Sequence, residues 1–218
     1  MTQSLKFYRT PRAAPRAALL ATTLAALLAA STLLGGCAPL VLGGAMVGGA
    51  LSFSDRRTTG AQLEDEAIEL KSGGRISPVS AGHVNVTSYN RLVLITGEVA
   101  TAAERTAVEQ AVARIDNVQS TVNELVVGFS SSIGARSNDT ILTSKVKAGF
   151  IDAADLQSNA IKVVAERGVV YLMGRVTERE AGRAASLARA VNGVAKVVRV
   201  FEVISEAELA QMQPPAKK

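Results

Sequence analysis

The stretch Val169-Val170-Tyr171-Leu172-Met173-Gly174-Arg175-Val176 decides the fold, because Leu92-Val93-Leu94-Ile95-Thr96-Gly97-Glu98-Val99 anticipates it 77 residues earlier. Each run is apolar, β-branched and short, as a buried strand requires. Each is preceded by a second valine-rich run, Val84-Asn85-Val86 in one case and Ile161-Lys162-Val163-Val164 in the other. A turn separates the members of each pair: Ser88-Tyr89-Asn90-Arg91 first, Glu166-Arg167-Gly168 second. The spacing predicts two antiparallel hairpins, with Gly168 supplying the positive φ that a tight turn needs. Gly97 and Gly174 fall where strand is expected to leave for helix. Neither lies in a G-x-G-x-x-G fingerprint, so they read as turn glycines and not as a phosphate loop.

Outward from each hairpin the chain repeats a wider pattern. A segment of helical period precedes it, running from about Gly60 to Lys71 in the first copy and from about Asn138 to Ile151 in the second. An alanine-rich helix follows, from about Ala102 to Arg114 and from about Glu178 to Val191. In the first of these, Ala103, Ala107, Ala111 and Ile115 share one side with Val108 and Val112 next to them, a face small enough to lie close on a sheet. A last valine-rich strand closes each unit, Val122 to Val127 and Val197 to Val203, entered through Asn117-Val118 and Gly193-Val194. Each unit is therefore αββαβ, with the final strand joined by a right-handed crossover where it is parallel. The fold class is α+β: two tandem units, each a three-stranded mixed sheet packed on two helices. The boundaries are 54–128 for the first unit, 129–137 for a polar Ser/Gly linker, 138–205 for the second unit and 206–218 for a disordered tail.

The N-terminal quarter has another character. Lys6, Arg9, Arg12 and Arg16 precede an Ala/Leu-rich stretch with no acid, ending at Leu34-Gly35-Gly36-Cys37. A basic start followed by an apolar run is the layout of a secretory signal over residues 1–36. Gly35, Gly36, Pro39, Gly43 and Gly44 interrupt it, which argues against an uncleaved span. Leu34 to Cys37 resembles the bacterial lipobox. That resemblance implies cleavage before Cys37 and attachment of three acyl chains there, more than the two signals that stable anchoring needs. Ala38 in place of an acid after the cysteine implies sorting to the outer membrane. Residues 37–53, uncharged and rich in Gly and Ala, form a tether.

The whole chain carries 24 cations against 19 acids. Four of the cations lie in residues 1–36, so residues 37–218 carry 20 against 19 and are close to neutral. The basic balance belongs to the leader and is no argument for nucleic acid. One cysteine and one histidine exclude a Cys/His metal cluster. His83 has no Ser, Cys or acid spaced to form a triad, and Asp152 and Asp155 form no paired-carboxylate pattern. No cofactor, metal or catalytic residue is expected, and the protein reads as a non-enzyme.

Val84 to Asn90, Val93 to Val99, and Val169 to Val176 with its following helix resemble the BON domain, over most of residues 55–205. A lipobox followed by two such domains resembles the division- and outer-membrane-stress-associated lipid-binding lipoproteins. Asn138 through Lys147 and Leu172 through Ala181 look especially close to that family. The resemblance implies anionic phospholipid binding through the second domain, on the periplasmic face of the outer membrane, and a role in outer-membrane integrity.

The charges agree with that division of labour. Residues 54–128 hold seven cations and ten acids, net −3, whereas residues 129–205 hold eleven and seven, net +4. Anionic headgroups attract each nearby basic side chain by about 1 kcal/mol. On the helix from Asn138, with Asn138 or Asp139 as its N-cap, Leu142, Val146 and Phe150 form the stripe toward the sheet. Ile141 stands about 100° away, near Lys145, and Lys147 adds attraction at longer range. Ile141, Leu142, Lys145, Val146, Lys147 and Phe150 are the candidate lipid-binding residues. The alternative is a protein-interaction adaptor for outer-membrane assembly or envelope machinery. Its support is the acidic first helix with Glu64, Asp65, Glu66 and Glu69.

Overall fold

Asn90 and Arg91 have φ of 50° and 66°, Arg167 and Gly168 of 53° and 74°. Positive φ at both central residues marks a type I′ turn, whose twist matches that of the strands it joins. Two hairpins follow, β1 (His83–Tyr89) with β2 (Leu92–Val99), and β5 (Ile161–Glu166) with β6 (Val169–Val176). The computed structural model describes residues 55–212. The leader (1–36), Cys37, the tether and residues 213–218 lie outside the described residues.

In each unit the second hairpin strand is central. It pairs antiparallel with its predecessor and parallel with the closing strand. In the second unit β7 (Lys196–Val203) pairs with β6 along its whole length. In the first the closing strand is split into β3 (Ser120–Asn123) and β4 (Val126–Val127), which gives that sheet four strands in place of the three expected. The Asn123 side chain causes the break: its Oδ1 accepts the Leu125 N–H at 3.1 Å while its amide donates to Glu109, 3.0 Å away. The crossovers are helices α2 (Ala102–Ala113) and α4 (Glu178–Ala190). Both leave through a residue of positive φ, Asn117 and Gly193. The leading helices are α1 (Thr59–Ile76) and α3 (Ile133–Ile151).

Strand alternation then builds three cores. Val93, Ile95 and Val99 of β2 meet Ile68 and Ile76 of α1 and Val108 and Val112 of α2. Val170, Leu172 and Val176 of β6 meet Leu142, Val146 and Phe150 of α3 and the alanines of α4. The opposite faces of the two sheets meet each other: Tyr89 and Leu94 pack with Tyr171, Met173 and Val200. The Tyr89 hydroxyl donates across this seam to the Ala160 carbonyl, 3.3 Å away. Burial pushes both tyrosines up to about 12. The two units are thus fused through their sheets, not merely held near each other by a linker.

Several boundaries differ from those read in the sequence. Helix α3 starts at Ile133, inside the stretch read as linker, because Ser132 Oγ accepts the Ala135 N–H at 3.2 Å and is the cap. Asn138 and Asp139 are therefore interior residues and cap nothing. The stretch read as a disordered tail opens with a helix, α5 (Glu206–Met212). Ser205 and Glu208 cap it reciprocally, and Leu209 is buried. Ala103 is exposed, and α2 packs instead through Val108 and Val112. Gly97 and Gly174 lie inside β2 and β6, not at their exits. A Cβ on Gly97 would come within 2.0 Å of the His83 carbonyl oxygen, and one on Gly174 within 2.4 Å of that of Ala160. Close strand approach, more than turn geometry, demands glycine there.

Candidate lipid-facing surface

Helix α3 turns its inner stripe to the second core and its outer face to solvent. Its nineteen residues form a rod about 28 Å long. Leu142, Val146 and Phe150 are buried, as the wheel predicts, and belong to the core, with Leu142 and Phe150 each reaching the wall of a cleft beside the helix. Asp139 is also inward. Its carboxylate accepts the N–H groups of Arg167 and Gly168, both at 2.9 Å, and so clamps the β5–β6 turn.

The outer face carries Ile133 (83% exposed), Ile141 (53%) and Ile151 (72%), with Lys145 and Lys147 also exposed. Three of its hydroxyls are already satisfied. The hydroxyls of Ser137, Thr140 and Ser144 donate to the carbonyls of Ile133, Arg136 and Thr140, one turn back, at 3.0, 3.1 and 3.0 Å. A hydroxyl that keeps its hydrogen bond costs little to remove from water, whereas an unpaired one costs several-fold more. Sequence reasoning found Ile141 and its lysines but missed this internal pairing. The i, i+4 spacing of the hydroxyls to their acceptors is the signal that carried it.

Charge pairing sharpens the picture. In the second unit Lys162, Arg167, Arg175, Arg179, Arg183 and Arg199 are all engaged with carboxylates. Lys145 and Lys147, like Arg136, Arg189 and Lys196, are in no ion pair among the described residues, so their charge is available to a ligand. Ile141 and Lys145 line a cleft of about 400 Å³ together with Arg167, Asn192 and Gly193. Lys147 and Ile151 line a second cleft, of about 360 Å³, where α3 meets Arg57, Tyr89 and Lys162 at the seam between the sheets.

The acidic helix α1 is largely spent inside the molecule. Asp65 is buried and accepts from the Ser88 hydroxyl (2.5 Å), from the Asn90 and Arg91 N–H groups (2.7 Å each) and from Arg57 Nη1 (2.8 Å). Burial pushes its carboxyl up, but these donors outweigh that and hold it below the ordinary 3.8. Glu64 pairs with Arg91, and Glu69 accepts from the Ser88 N–H and from Lys162 Nζ. Of the four acids that supported the adaptor reading, Glu66 alone is exposed.

His83 opens β1, where its Nε2 accepts from the Asn85 amide at 3.1 Å. Asn85 also donates to Glu166 at 2.8 Å. Asp155 pairs with Arg183. Among the described residues no three His, Cys, Asp or Glu side chains gather as a metal site, and no helix is long and apolar enough to cross a membrane.

The BON domain model matches residues 65–128 and again 138–205. The chain is 34% identical over 179 residues to the outer membrane lipoprotein DolP of Haemophilus influenzae, covering 80% of this chain and 92% of that protein. It is 29% identical over 154 residues to the 21 kDa hemolysin of Actinobacillus pleuropneumoniae, covering 69% and 79%. It is 27% identical over 150 residues to the osmotically-inducible protein Y of Escherichia coli, covering 66% and 75%.

Proposed function

We propose, since this chain belongs to the dual BON-domain lipoproteins of the outer membrane, that it binds anionic phospholipid through the outer face of α3 and so supports outer-membrane integrity. It acts by binding and not by catalysis. Acyl chains on Cys37 hold it to the periplasmic face, and α3 makes the second contact. Tethering raises the effective concentration of the helix at the bilayer, so a weak headgroup contact suffices.

One observation carries this reading. The outer face of α3 combines exposed isoleucines, hydroxyls with internal partners and two lysines free of carboxylates. Such a face lies in the headgroup boundary with its apolar side chains inward and its ammonium groups at phosphate level. Helix α1 of the first domain also exposes apolar side chains, Leu63 and Leu70, but they stand beside the exposed Glu66 in a domain of net −3, a sign that an anionic surface repels.

The test is vesicle flotation of the non-acylated chain, residues 55–218, with Lys145→Glu and Lys147→Glu combined. Losing about 1 kcal/mol per cation near an anionic surface predicts binding to phosphatidylglycerol vesicles weakened by roughly 30-fold or more. Unchanged flotation would refute the reading. A pull-down of an assembly factor by lipid-free protein, with no vesicle binding, would favour the adaptor instead.

A further inference from the structure

The segment joining the two domains carries an aromatic residue that touches almost nothing. Phe129 is 98% exposed, and Val126 and Val127 before it are 44% and 48% exposed. Ile133, the first residue of α3, follows four positions later. Exposing one apolar side chain is ordinary, but four within eight residues that lead into the proposed binding helix are not. The run is held in place. The Gly128 N–H donates to the Val99 carbonyl at 2.9 Å, the Ser131 hydroxyl to Glu98 at 3.4 Å, and Arg136 Nε to Ser131 Oγ at 3.3 Å. Phe129 projects from a segment pinned at both ends.

Its electrostatic setting selects the occupant. Between Glu124 and Asp152 the only acid is Asp139, which is buried against the β5–β6 turn, while Arg136, Lys145 and Lys147 lie in the same stretch. An apolar surface with cations and no exposed acid complements an anionic membrane.

We infer that Phe129 is a membrane-inserting wedge, extending the lipid contact of α3 along the interdomain segment and setting how deeply the domain sits in the headgroup layer. This rests on the α3 reading and adds to it a second insertion point that the fold holds fixed relative to the helix.

The chain contains no tryptophan, so Phe129→Trp and Ile141→Trp each place a single reporter in residues 55–218. The proposal expects both to shift to the blue on phosphatidylglycerol vesicles and to be quenched by lipids brominated on the acyl chain. It also expects Phe129→Ser to weaken binding by about tenfold, the loss anticipated for partial burial of one aromatic side chain. With Phe129 98% exposed, these variants should keep the parent circular dichroism and unfolding midpoint. A shift at residue 141 without one at 129 would overturn this inference and leave the α3 reading standing. Silence at both positions would overturn both. A concentration-dependent shift at 129 without vesicles would mean that a second copy covers it, and would also overturn the inference.

Discussion

Arg56 Nη1 lies 2.7 Å from Glu180 Oε2, and both side chains are almost wholly buried. The residues that lead into α1 are thereby fastened to the first turn of α4, in the other domain. Arg56 also donates to the Arg175 carbonyl at 2.8 Å and to Gln157 at 3.2 Å. Glu180 in turn closes a capping box with Thr177. Burial works against the charged carboxylate, but Arg56 outweighs it and holds Glu180 below its ordinary 4.5. The chain arriving from the tether is thus strapped across the second domain before the first begins.

Arg56→Ala strands a buried carboxylate, which should lower stability by about 3–5 kcal/mol. Denaturant unfolding of residues 55–218 measures this. A change under 1 kcal/mol would mean that the strap contributes no stability.

The turn carboxylates Asp65 and Asp139 are equivalent in position but unequal in load. Asp139 accepts two backbone N–H groups, whereas Asp65 accepts two and also holds the Ser88 hydroxyl and the Arg57 guanidinium. Arg57 further stacks on the Tyr89 ring, 4.4 Å from its centroid. Asp139→Ala should cost about 1–3 kcal/mol, the penalty for unmade hydrogen bonds. Asp65→Ala should cost more, about 3–5 kcal/mol, since it also leaves a cation unpaired. Equal losses in chemical denaturation would contradict this ranking.

Much of the architecture was legible because it is written twice. The β2 and β6 runs repeat, and the strand alternation and turn residues within them predict hairpin, crossover and sheet order. The seam between the sheets was not legible. Leu94, Tyr171 and Met173 look like ordinary strand residues, and only their burial from both sides reveals a third core. The start of α3 was misread for a similar reason: Ser130-Ser131-Ser132 looks like linker, yet its last serine is a helix cap. Of the six candidate lipid-binding residues, periodicity alone separated Leu142, Val146 and Phe150 from Ile141, because a wheel shows which side a residue takes. It does not show that three hydroxyls on the outer side are already bonded.

Glycine placement yields a signed pair. Gly97→Ala drives a Cβ into the His83 carbonyl at a φ of +113°, and should lower the melting temperature sharply or prevent folding. Gly182→Ala, within α4 and with nothing inside 4 Å of the added Cβ, should stabilise by about 1 kcal/mol through helix propensity. Thermal melts of both variants give the comparison. Stabilisation by Gly97→Ala would contradict the strand geometry.

Acid should act on opposing groups. Asp65 and Glu180 are held low, so their stabilisation is present above their unfolded values of 3.8 and 4.5 and is lost as pH falls through the depressed ones. Glu166 is the reverse. Burial raises its carboxyl above 4.5, against the opposing effects of Asn85 and His83. Its contribution is complete below 4.5 and declines as pH rises through the raised value, because the native state then binds the extra proton. Glu166→Gln should therefore remove a decline in stability just above pH 4.5 and leave the acid limb set by Asp65 and Glu180. Unfolding midpoints from pH 3 to 7 test this; an unaltered profile would contradict it.

The central claim is that the outer face of α3 enters an anionic membrane, and Ile141→Glu tests it most directly. Ile141 is 53% exposed, so the substitution should leave folding intact while placing a carboxylate among the side chains proposed to meet lipid. In flotation with phosphatidylglycerol vesicles, the parent chain of residues 55–218 should float and Ile141→Glu should stay with the protein pool, with identical circular dichroism. Equal flotation of the two would contradict the account.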